Sequence, residues 1–425
     1  MIGRRRLMAA MAALAVVVLV AGCGGGDGGG GGGGGSDASL TARGPITYVQ
    51  GKDNTNAIRP LLAKWNAAHP NEKASFKEQS DEADAQHDDL VQHFQAKDPN
   101  YDVASVDVVW TAEFAAKGWL QPLKDSFALD TTKLLPATVK SATYNKTLYV
   151  APVTSDGGML YYRKDLVPTP PKTWDEMMGM CSIAKKNKID CYAGQFFKYE
   201  GLTVNAAEAI NTDGGVIVGE DGKTPAVNSP EATKGLSRLA DAYKNGNIPR
   251  QAITYTEEEG RASFEAGKLL FLRQWPYVYS LATTDGESKV KGKFAVAPLP
   301  GTSGPGASSL GGHNAAISAY SKNKATAFDF LKFLETEESQ RWFVTQASNA
   351  PALASLYDDP ALVKKYPYLP VLKTSILNAV PRPVSPFYPA VTKAVQDNAY
   401  AAIKGDKDVP TALSDMQAAI QAAGG

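Results

Sequence analysis

The chain has 425 residues, with 44 basic and 44 acidic side chains and a hydrophobic fraction of 44 %. That is enough for two or three domains with a sizeable core. A near-zero net charge leaves out the electrostatic footprint of a nucleic-acid binder.

The first elements are a signal and a leash. Arg4, Arg5 and Arg6 precede an apolar run from Leu7 to Val20, too short for a membrane-spanning helix. Leu19-Val20-Ala21-Gly22-Cys23 then has the form of a bacterial lipobox. Residues 1–22 read as a lipoprotein signal peptide, and Cys23 as the lipidated first residue of the mature chain. A Gly-rich tether over residues 23–44 follows, with a root-mean-square reach of about 25 Å. This places the body outside the cytoplasm, anchored to the outer face of the cell membrane. In that oxidising setting Cys181 and Cys191 are expected to form a disulfide.

The body alternates strands and helices. ITYVQ is a strand, and NAIRPLLAKWNAAHP is a helix with Ile58, Leu61, Leu62 and Trp65 on one face. KASFKEQ is a strand, DAQHDDLVQHFQAK a helix, and YDVASVDVVW an apolar strand carrying two acids. TWDE has the capping-box form, and SPEATKGLSRLADAY opens with Ser at the cap and Pro at the first helical position. LLFLRQWPY is a strand ended by an aromatic cluster. FDFLKFLETEESQRWFV is one amphipathic helix, and the tail is helical. This rhythm predicts an α/β fold with parallel sheets covered by helices.

No catalytic motif stands out. The four His form no zinc-protease pair, and there is no nucleophile elbow or phosphate-binding loop. No cofactor and no metal are expected. Acids, amides and aromatics instead sit at strand ends, where open α/β sheets bind ligands. Asp53 and Asn54 follow the first strand, and Gln79 and Asp81 the second. Asp107 lies in the third, and Asp156 follows Tyr149-Val150-Ala151-Pro152. Trp275 and Tyr277 follow Leu269 to Arg273. Gly311, Gly312 and His313 interrupt a pair of apolar strands. Carboxylates, amides and guanidinium groups grip adjacent hydroxyls, and aromatic faces stack on sugar C–H faces, so the mixture points to carbohydrate. Asp53 reads equally as a helix cap, Asp81 as a solvated acid, and Asp107 as an internally hydrogen-bonded one. The acids also leave open a secreted glycoside hydrolase, whose two carboxylates would face one bond, and a sugar-sensing receptor subunit.

The stretches YDVASVDVVWTAEFAAKGWLQPL, LYVAPVTSDGGMLYYRKDLVPTPPKTWDEM, EEEGRASFEAGKLLFLRQWPYVYSLA, FAVAPLPG…SSLGGHNAAIS and AVPRPVSPFYPAVTKAVQDNAYAAI carry a resemblance. The chain resembles the extracellular sugar-binding proteins of bacterial ABC importers, and within them the actinobacterial trehalose/maltose/α-glucoside branch. The resemblance implies a two-lobed, maltose-binding-protein-like periplasmic-binding-protein fold of type II with a hinge. Its expected lobes are residues 45–152 with 297–345, and 153–296 with 346–425. It further implies a monomer that delivers an oligosaccharide to permease subunits and catalyses nothing. By the same resemblance Asp156, Trp275, Tyr277, Gly311, Gly312, Arg382 and Glu200, and Asp53 less closely, become ligand contacts. His313 stands where relatives carry Trp, and Thr154 where trehalose binders carry Tyr.

Overall fold

The computed structural model describes residues 38–424. The expected signal segment, Cys23 and the tether up to residue 37 lie outside them. Residues 38–44, the end of the expected tether, are packed on the body. Arg43 forks onto Glu72 at 2.6 and 2.8 Å and reaches Asp329 at 2.7 Å.

The strands are β1 Ile46–Gln50, β2 Ala74–Glu78, β3 Val103–Asp107, β4 Thr143–Tyr144, β5 Thr147–Leu148, β6 Val150–Pro152, β7 Met159–Arg163, β8 Asp190–Ala193, β9 Leu269–Gln274, β10 Phe294–Pro298, β11 Ser308–Leu310, β12 His313–Ile317 and β13 Ala379–Pro381. The first lobe is built on a sheet ordered β2-β1-β3-β12-β6, and the second on β10-β7-β9-β8. Two-stranded ladders join β11 to β13 and β4 to β5.

The first sheet shows why its central strands are mostly apolar, whereas the edge strand β2 carries exposed Lys77 and Glu78. Tyr48, Val103 and Ala315 face one helix layer, while their neighbours Val49, Ala104 and Ala316 face the other. Period-two alternation between two covered faces leaves no solvent side for polar residues. The expectation of parallel sheets holds only in part. β1 runs parallel to β2 and β3, but β12 is antiparallel to both β3 and β6. In the second sheet β7 is antiparallel to β9 and β10, and only β8 and β9 are parallel. The chain crosses between lobes, and β12 returns from the second lobe against the direction of the strands already there. Because β10 extends to Pro298 in the second sheet, the first sheet resumes only at His313, later than the expected boundary at 297.

One predicted helix is two. Lys324–Glu335 ends at Thr336, whose hydroxyl accepts the N–H of Ser339 at 3.2 Å and starts Glu337–Trp342. Both expected caps form: the Thr173–Glu176 box opens Trp174–Gly179, and Ser229 caps Pro230–Lys244. Cys181 and Cys191 are bonded, with Cα atoms 5.1 Å apart, tying the helix Cys181–Asn187 to β8.

Candidate functional site

A cleft of about 370 Å³ opens between the lobes. It is lined by Asp53, Asn54, Asp81, Asp107, Asp156, Glu200, Trp275, Tyr277, Gly311, Gly312, His313 and Arg382, twelve of the thirteen candidates. Gln79 is not among the lining residues. It follows β2, the edge strand of its sheet, and its amide donates to Asp89 at 2.7 Å and to the Gln86 carbonyl at 3.4 Å. It braces the following helix rather than facing a ligand.

The first-lobe wall begins after β1. Asp53 accepts the N–H groups of Ala57 and Ile58 at 3.0 and 2.8 Å, so it satisfies the start of the helix Ile58–Ala68 while also lining the cleft. Asp81 is exposed at the rim. Asn54 reaches across the cleft to Glu258 at 3.5 Å.

At the base stands a buried ion triad. Arg382 donates from Nη2 to Asp107 at 2.9 Å and from Nη1 to Glu200, bringing one acid from each lobe together. Asp107 also accepts the N–H of Val109 at 3.1 Å. Glu200 further accepts Tyr388 at 2.5 Å and Thr392 at 2.6 Å. Internal bonds and cleft exposure therefore coexist in Asp107. Nε of Arg382 is buried with no hydrogen-bond partner among the described residues. The β11–β13 ladder pairs Leu310 with Pro381, so the next residues, Gly311 and Arg382, reach the cleft together.

Trp275 and Tyr277 form the aromatic wall. Pro276 ends β9 and starts the helix Tyr277–Thr284. The guanidinium carbon of Arg273 lies 3.9 Å from the centroid of a Trp275 ring, a cation–π backing. Arg273 is itself fixed by a two-point pair with buried Glu208, at 2.8 and 2.5 Å. Tyr277 donates to Glu258 at 2.6 Å. A Cβ at Gly311 would lie 2.8 Å from the Trp275 ring, so only glycine lets that edge come close. Gly312 has φ +108°, and a Cβ there would lie 2.2 Å from the Thr154 carbonyl oxygen.

The surroundings shift two groups at the base toward their neutral forms. Burial, with Asp107 nearby, pushes the Asp156 carboxyl up to about 7 against the pull of an Ala350 N–H. Burial pushes the His313 imidazole down, which keeps it neutral, with one donor and one acceptor nitrogen.

The lining also includes Gln50, Lys52, Glu257, Glu258 and Asn349, which strand-end reasoning passed over. Glu257 accepts Tyr199 at 2.6 Å. The available signal was Thr256-Glu257-Glu258-Glu259, a capping box whose helix start faces the cleft. The arrangement offers fixed carboxylates, amides and the unpartnered Nε of a guanidinium around an aromatic wall. Among the described residues no cluster fit to hold a metal ion occurs.

Comparison with known proteins gives the lineage. Residues 51–341 match the family model described as bacterial extracellular solute-binding protein. A probable ABC transporter-binding protein of Deinococcus radiodurans is 36 % identical over 308 residues, covering 69 % of this chain and 72 % of that protein. The galactooligosaccharide-binding protein of Bacillus subtilis is 26 % identical over 242 residues, 54 % of this chain and 55 % of that one. Among solved structures, maltose-bound T. maritima MalE3 superposes with a TM-score of 0.84 at 32 % identity, covering 89 % of this chain and 99 % of that one.

Proposed function

The chain belongs to the bacterial extracellular solute-binding proteins, and from that premise we propose that it captures an α-glucoside of trehalose or maltose type outside the cell and delivers it to an ABC permease. The family and the relatives above are binding proteins of ABC transporters, not enzymes. The observation that carries the sugar reading is the interlobe cleft itself, where Trp275 backed by Arg273 stands over fixed carboxylates and the unpartnered Nε of Arg382.

In this reading the open receptor meets the sugar, the acids and Arg382 take its hydroxyls, and Trp275 and Tyr277 stack on its rings. Closure excludes water and strengthens each polar bond. The closed form then presents both lobes to the permease, and Cys23 carries a lipid that keeps this monomeric receptor at the membrane. The maltose bound by MalE3 and the oligosaccharide named for the Bacillus protein support a saccharide ligand. Deleting the gene and measuring uptake of labelled trehalose and maltose tests the transport role. Lost uptake is the expected result, and unchanged uptake of both sugars contradicts it.

A further inference from the structure

One carboxylate outside the cleft holds the aromatic wall from two sides. Glu208 lies on the helix Glu200–Thr212 and is buried behind the lining residues rather than among them. Its Oε2 accepts Nε of Arg273 at 2.8 Å, and its Oε1 accepts Nη2 at 2.5 Å. Such a two-point fork fixes an arginine in plane as well as in place. Nη1 of Arg273 donates to Oε1 of Gln195 at 3.3 Å, which also accepts Nδ2 of Asn205 at 2.9 Å. The guanidinium so held has its carbon 3.9 Å from the centroid of a Trp275 ring. Arg273 therefore occupies one face of the indole, and the ligand meets the other.

The same Oε1 of Glu208 accepts the backbone N–H of Ser309 at 3.0 Å. Ser309 is the middle residue of β11, and Gly311 follows the end of that strand. Cζ3 and Cη2 of Trp275 come so near Gly311 that a Cβ there would lie 2.8 Å from each. Glu208 thus ties down both the group against the indole face and the strand that carries the stop at its edge. Gly158 leaves room for this arrangement. A Cβ there would lie 2.7 Å from Nη2 of Arg273 and 2.8 Å from Oε1 of Glu208.

We propose that Glu208 is a positioning residue for saccharide binding. Without touching the ligand, it presets the plane of Trp275 through Arg273 and the limit of the ring edge through Ser309 and Gly311. Stacking needs a ring of fixed orientation, and ordering a mobile ring during binding subtracts from affinity. A glutamine at this position keeps one acceptor oxygen but sets an NH2 group against a guanidinium that only donates. The inference rests on the receptor reading above.

The test is a double-mutant cycle by calorimetric titration, with the saccharide that wild type binds most tightly. The proteins are wild type, Glu208→Gln, Trp275→Ala and the double variant. Glu208→Gln should bind about tenfold more weakly than wild type, whereas in the Trp275→Ala background it should cost less than about twofold, because no ring is left to position. A general disturbance of the second lobe would weaken both backgrounds by the same factor. Equal losses in the two backgrounds, or unchanged affinity in Glu208→Gln, overturn the proposal while the receptor reading stands. Gly158→Ala enters the same cycle as a second probe and decides alone if Glu208→Gln does not fold. It keeps both charges, its φ is not left-handed, and the three atoms nearest the added Cβ all belong to Arg273 and Glu208. It too should weaken binding only where Trp275 is present, and an equal loss in both backgrounds counts against the proposal. Failure of wild type to bind any saccharide instead removes the receptor reading, and this proposal with it.

Discussion

Gly311 and Trp275 show how one atom sets the shape of the cleft. A Cβ at Gly311 would sit 2.8 Å from the ring, closer than real contacts allow, so Gly311→Ala must push the indole aside. The expected result is at least tenfold weaker sugar binding, about 1.4 kcal/mol, with an unchanged circular-dichroism spectrum. Unaltered affinity would mean that Trp275 does not stack on the ligand. His87 provides a pH-dependent contribution to stability. Burial of the ring lowers its pKa, but the bond to Glu113 at 2.7 Å, the charge of Glu113 and the carboxylate of Asp88 together outweigh burial, so it lies above the ordinary value. A raised histidine stabilises fully below its unfolded value near 6.5 and loses that contribution as pH rises through the folded value. The gap in melting temperature between wild type and His87→Gln is therefore expected to shrink from about pH 5.5 to about pH 8.5, as thermal melts would record. Much of the site was legible residue by residue, because an acid inside the apolar VASVDVVW must have a partner, and Pro276 must end its strand. Glu257 and Glu258 were not. A Thr-x-x-Glu box accounts for acids locally, and nothing in the sequence says which way that helix start points.

At the level of elements, the strands were readable from their apolar runs, but their directions were not. Period-two burial is the same for a parallel and an antiparallel neighbour, so β12 gave no sign that it returns from the other lobe. The break at Thr336 was hidden for a similar reason. The apolar periodicity runs through it, and only the hydroxyl bond to Ser339 marks a second start. The Cys181–Cys191 bridge joins a helix to the edge strand of the second sheet. Closing so short a loop is worth about 3 kcal/mol on the chain-entropy estimate. The double variant Cys181→Ser/Cys191→Ser should melt roughly 5 °C or more below wild type in a calorimetric scan. A melt that is unchanged, and equally unchanged by reductant in wild type, would show that the bond adds nothing to the second lobe.

The whole molecule couples two sheets through crossings that converge on one cleft, with Arg382 clasping an acid from each lobe at its base. That two-lobed plan was visible from the resemblance across the body. The lobe boundaries were less so, because β10 belongs to the second sheet until Pro298 and gives no compositional warning. In the proposed reading, the lipobox-like segment and the glycine run hold the receptor to the membrane through Cys23. Cys23→Ala should accordingly appear in the culture medium as a sugar-competent protein, detected by immunoblot of cells and supernatant, and retention on cells would contradict the anchor. The central claim is capture of a saccharide in the cleft, and the most direct measurement is calorimetric titration of purified protein with trehalose, maltose, maltotriose, sucrose and cellobiose. The account predicts a dissociation constant around micromolar, about −8 kcal/mol, for at least one α-glucoside. It also predicts a loss of roughly 30-fold in Trp275→Ala, about 2 kcal/mol, and no free glucose released. Absence of binding to every sugar, or binding that Trp275→Ala leaves intact, would contradict it.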